Sequence, residues 1–124
     1  AFHAVGHPPG AHIGDLGHIP KAAPALDVIG VRGAVACGCD IVSTTLSHNK
    51  PAIDTTMDDG PDLPLLRRGT TEFPGLPIIC EGHVHTPSDA VAAMQAGAWA
   101  VVVGTGITHP MSITGWFVDA IKEA

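Results

Sequence analysis

The chain has 124 residues, 45% of them hydrophobic and 15% charged, and its 12 acidic and 6 basic side chains give a formal net charge of −6. That length holds one domain or part of one, and the acidity disfavours a nucleic-acid partner gripped by a basic patch. No apolar run approaches the ~20 residues of a membrane span, and no charged-then-apolar leader pattern opens the chain, so the expected compartment is the cytoplasm.

Residues 1–38 are rich in Gly, Pro, Ala and His, with His3, His7, His12 and His18 scattered at irregular spacing. Without a sustained 3.6 or 2.0 period they read as an irregular lead-in. Within them, 26–31 reads as a short strand and 33–38 as a poor helix. Three cysteines, Cys37, Cys39 and Cys80, form no disulfide framework. Cys80, inside an apolar run, is expected to be a small buried thiol.

From Asp40 the signals become regular. Asp40-Ile-Val-Ser-Thr-Thr45 predicts a strand, followed by a polar loop to about Gly60. Pro61-Asp62 opens a short helix closed by Gly69. A strand over 76–81 follows. Then Thr86, Pro87 and Asp89 announce a helix by N-cap, first-turn proline and capping box, and Gly97 stops it. A strand over 99–103 ends in Gly104-Thr-Gly106. Finally Ile113, Trp116, Phe117, Ala120 and Ile121 repeat at i, i+3, i+4, i+7 and i+8, an apolar stripe suited to cover one side of a sheet. Strands alternating with helices predict an α/β chain with a parallel sheet.

In such proteins the carboxyl ends of the strands carry the chemistry. Glu81 ends one apolar strand immediately before Gly82. A partly shielded carboxylate there is placed to accept and return a proton; the plainer reading is a solvated rim glutamate. Gly104-Thr-Gly106 ends the next strand, where backbone N–H groups can hold a phosphate without side chains. A tight-packing turn would require the same glycines. His83 and His85 form a His-x-His pair that, with His48 or His109, invites a metal-hydrolase reading, although no acidic ligand accompanies it at obvious spacing.

The segment from Asp40 to Ala120 resembles the N-acetylmannosamine-6-phosphate 2-epimerases, which are (β/α)8-barrel enzymes. The resemblance is carried by Asp40-Ile-Val-Ser-Thr-Thr-Leu-Ser47, Pro61-Asp-Leu63, Pro77-Ile-Ile-Cys-Glu-Gly82, Thr86-Pro87, Gly97-Ala98, Ala100-Val-Val-Val-Gly104, Ile107-Thr108 and Trp116-Phe-Val118. It implies the C-terminal part of a phosphate-binding (β/α)8 barrel, its last three βα units lying over 39–124. It also implies cofactor-independent inversion at C2 of an N-acetylhexosamine 6-phosphate in sialic-acid catabolism, with no resident metal. Glu81 would be one acid/base residue. Gly82, Gly104 and Thr105 would cradle the phosphate, and Thr44 and Thr45 would line the sugar site.

His83 and His109 stand where the family commonly carries arginine, and histidine lacks arginine's permanent charge and bidentate fork. His48-Asn49-Lys50 replaces the usual Gly-Tyr-Thr. The family's catalytic lysine, on an early strand, has no counterpart in this chain. Three strands cannot close a barrel, so the expected partner is a second copy or a complementary barrel fragment. The rival readings are a non-catalytic remnant that binds a phosphosugar and a metal-dependent hydrolase using His83 and His85.

Overall fold

The computed structural model describes residues 3–5, 21–25, 27–44 and 60–124. Thr45, His48, most of the histidine-rich lead and the polar loop before Gly60 lie outside the described residues. The elements are β1 (His3–Val5), β2 (Ala22–Ala25), α1 (Val28–Ala36), β3 (Ile41–Thr44), α2 (Leu63–Glu72), β4 (Ile78–Glu81), α3 (Pro87–Gln95), β5 (Ala100–Val103), α4 (Thr105–Thr108) and α5 (Pro110–Glu123).

β2, β3, β4 and β5 are parallel and lie side by side in chain order, while β1 pairs antiparallel with β5. Each strand is followed by a helix and then by its immediate neighbour in the sheet. A sheet wound in one direction in this way keeps its helices on one face, which is the progression of a (β/α)8 barrel. Four parallel strands are present, one more than the three βα units expected over 39–124.

The additional unit is β2–α1, and it corrects the reading of 26–31 as a strand. Its β-branched residues imitate a strand, but Val28, Val31 and Ala34 recur at helical spacing and are buried together against Ala25 and Val42. Asp27 is the N-cap, its carboxylate accepting from Gly30 N–H at 2.8 Å. Gly30 brings the helix close to β2, since a Cβ there would lie 3.3 Å from Ala25 Cβ.

α2 opens as expected, with Asp62 accepting from Leu65 N–H at 2.9 Å. It runs past Gly69 to Glu72, because Gly69 is a packing position rather than a stop. A Cβ at residue 69 would come within 2.7 Å of Ile78 Cδ1. α3 has the full capping box: Thr86 Oγ1 accepts from Asp89 N–H, and Asp89 Oδ2 accepts from Thr86 N–H. Gly97 follows its C-cap at φ +99, a left-handed conformation that favours glycine.

Two apolar clusters join helices to sheet. Leu66, Ile78, Cys80, Val84, Ala93 and Val101 form one, and the β2–α1 group with Leu65 forms the other. α5 departs from expectation. None of its residues is buried, and Met111, Phe117 and Ile121 are 81%, 68% and 74% exposed. Its stripe lines an open, apolar hollow with His85, Pro87 and Gly106 instead of covering the sheet.

Candidate active site at the carboxyl ends of β4 and β5

Side chains alternate across a strand, so the burial of Ile78 and Cys80 against the helices turns Ile79 and Glu81 to the opposite face. Ser43 is paired with Ile79 in register, and Glu81 with Val102, which places Ser43, Glu81 and Val102 on that same face. In a barrel this is the interior face, and Glu81 stands at its carboxyl-end rim.

Glu81 is half-buried, and Ser43 Oγ donates to its Oε2 at 2.8 Å. The backbone of Glu81 is held separately. Thr44 Oγ1 accepts from Glu81 N–H at 3.1 Å and donates to Glu81 C=O at 3.3 Å. Thr44 was expected to line the sugar site, but it is only 1% exposed and shares the helix-facing side with its register partner Cys80. Its hydroxyl ties β3 to β4 and does not face the open rim. Ser43, one residue earlier and not among the expected site residues, is the side chain that reaches the carboxylate. Strand alternation could have identified it, since 41 and 43 share one face.

Directly after Glu81 the chain turns sharply, with Gly82 at φ +96 and His83 at φ +56. A non-glycine residue in this region is sterically costly, and such residues gather at functional sites. The turn leads to His85, whose ring lies 5.9 Å from His83 in an edge-on arrangement and 4.8 Å from Trp116. His85 and Thr86 N–H both donate to Asp89, tying the loop to the first turn of α3. Among the described residues no three His, Cys, Asp or Glu side chains converge to hold a metal.

At the end of β5, Gly104 begins the single turn α4, and its carbonyl accepts from Ile107 and Thr108 N–H. The two glycines here have different causes. A Cβ on Gly106 would meet the His85 carbonyl at 2.8 Å, so Gly106 permits the two loops to touch. A Cβ on Gly104 would meet nothing within 4 Å. The space beside Gly104 is therefore open, and Thr105 follows it as the first residue of α4. His109 caps α5, its Nδ1 accepting from Ser112 N–H at 3.3 Å and lying 2.7 Å from Ser112 Oγ. Accepting at Nδ1 places the ring proton on Nε2, which retains one donor for an anion.

Burial pushes the Cys80 thiol up to about 11, against a smaller opposing effect of its hydrogen bond with Thr44. It is therefore a core residue behind the rim and not a nucleophile in it.

A singly wound parallel sheet whose strands alternate with helices, with a carboxylate at one strand end and a glycine turn at the next, has the architecture of part of a (β/α)8 barrel. Residues 28–123 match the profile of the family described as "Putative N-acetylmannosamine-6-phosphate epimerase" (NanE). The chain belongs to this family. A protein of Cutibacterium acnes named as a 2-epimerase of this kind is 47% identical over 90 residues, covering 72% of the chain and 38% of the relative. One from Caldanaerobacter subterraneus is 46% identical, covering 69% and 35%. The solved structure of the N-acetylmannosamine-6-phosphate 2-epimerase from Clostridium perfringens superposes with a TM-score of 0.69 at 34% identity, covering 82% of this chain and 43% of that one. The matched part of the chain thus spans under half the length of these relatives.

Proposed function

We propose that this chain carries one of the two proton-transfer positions for C2 epimerisation of an N-acetylhexosamine 6-phosphate, interconverting N-acetylmannosamine and N-acetylglucosamine 6-phosphates. The observation that supports this most strongly is Glu81 at the carboxyl end of β4, in register with β5 and one strand from the open turn at Gly104. In the opened sugar, the C2 hydrogen lies α to the C1 carbonyl, and its removal gives an enolate stabilised by that carbonyl. The chemistry therefore closes without a redox or metal cofactor. Glu81 takes the proton from one face of C2 and returns it to that face.

Phosphate held at Gly82, Gly104 and Thr105, with donors from His83 and His109, fixes C2 relative to the carboxylate. Thr45 would line the sugar. Inversion needs a second acid/base group on the opposite face of C2. We assign that group to the rest of the barrel, supplied either by residues beyond this sequence or by a partner seated on the interior face of the sheet. This reading places the chain in sialic-acid catabolism in the cytoplasm. Glu81-dependent entry of solvent deuterium at C2 tests it.

A further inference from the structure

We propose that Ser43 is a positioning residue for Glu81: its hydroxyl locks one carboxylate oxygen and presents the other to the substrate. This rests on Glu81 acting at C2. Ser43 Oγ donates to Oε2 at 2.8 Å. Among the described residues Oε1 takes part in no hydrogen bond and Oε2 accepts from Ser43 alone.

The lock follows from the register. Ser43 pairs with Ile79, so its side chain rises beside Glu81 on the interior face, from the neighbouring strand. Thr44 simultaneously fixes the Glu81 backbone through both its N–H and its C=O. Adjacent residues of β3 therefore divide the task, Thr44 setting where the main chain ends and Ser43 setting which rotamer the carboxylate adopts. An unrestrained glutamate rotates about three side-chain bonds, and each misdirected rotamer removes the base from reach of a proton that must lie within hydrogen-bond distance.

The test compares wild type, Ser43→Ala and Ser43→Thr in the full chain. Side-chain NMR couplings of Glu81, assigned by their loss in Glu81→Gln, report its rotamers. Deuterium entry at C2 of N-acetylmannosamine and N-acetylglucosamine 6-phosphates reports its action. The expected result is one dominant Glu81 rotamer in wild type, averaging in Ser43→Ala, and return to one rotamer in Ser43→Thr. The exchange rate at saturating substrate should fall about tenfold in Ser43→Ala, with KM little changed, and recover in Ser43→Thr.

Unchanged Glu81 rotamers in a folded Ser43→Ala protein overturn the inference, as does rotamer averaging with an unaltered exchange rate. If wild type shows a locked Glu81 released by Ser43→Ala but no exchange, Ser43 orients the carboxylate and the epimerase reading is what fails.

Discussion

Gly82 and His83 make consecutive left-handed turns directly after Glu81, and only the first is a glycine. His83→Val, β-branched at φ +56, is expected to destabilise the fold by about 1–2 kcal/mol, whereas His83→Gly should leave stability nearly unchanged; urea unfolding distinguishes them. If the two variants unfold alike, the turn carries no backbone strain. Gly104→Ala should fold normally and weaken phosphosugar binding, while Gly106→Ala should destabilise the protein through its clash with the His85 carbonyl. The same assay with calorimetric titration checks both. Cys80, buried with its thiol pushed up to about 11, should resist alkylation at neutral pH until the chain unfolds, and exposed Cys37 should react at once. Mass spectrometry of the labelled protein decides it. At this scale the place of Glu81 at the end of a strand and the turn after it are legible from residue type and position. The exchange of roles between Ser43 and Thr44 was not, because which of two adjacent polar residues faces the rim depends on strand parity and register, which the local string Ser-Thr-Thr does not fix.

The helix over 87–95 could be read directly because its cap, first-turn proline and terminal glycine are all local signals. Asp89→Ala removes the acceptor of both His85 and Thr86 N–H and is expected to cost about 1 kcal/mol. Thr86→Ala on the same capping box should be less than additive with it, which a double-mutant cycle measures. α1 was misread because its β-branched residues and two glycines argue against a helix locally, while tertiary burial of Val28, Val31 and Ala34 decides in its favour. α1 and α2 are also joined by Arg32, which donates to the Glu72 carboxylate through Nε and, at 3.0 Å, through Nη2. That hydrogen bond first, and the nearby charge second, hold the Glu72 carboxyl below its ordinary value. The sign follows: the pair's contribution is present above the ordinary carboxylate range and disappears as pH falls through the lowered folded value. Both groups are exposed, so the contribution is small. Acid titration of Arg32→Met should show slightly less pH dependence of stability than wild type.

At the scale of the whole molecule, helices cover one face of the sheet and the interior face carries Ser43, Glu81 and Val102 half-buried. The stripe on α5, legible as amphipathic, leaves Phe117 and Ile121 exposed while Trp116 lies against the His85 ring. Such exposed apolar surface drives association. The expected behaviour is a concentration-dependent assembly by light scattering, weakened by Phe117→Glu; a monodisperse wild-type monomer that melts cooperatively contradicts it. The matched share of its relatives is 38% and 35% for two of them, and on the proposed reading this part of the barrel carries one acid/base position and a phosphate turn. The most direct measurement is proton NMR of N-acetylmannosamine and N-acetylglucosamine 6-phosphates incubated with the chain in deuterated water. The account predicts loss of the C2 hydrogen signal from one epimer with retention of configuration, abolished in Glu81→Gln. Equal loss in wild type and Glu81→Gln, or no loss from either sugar, contradicts it.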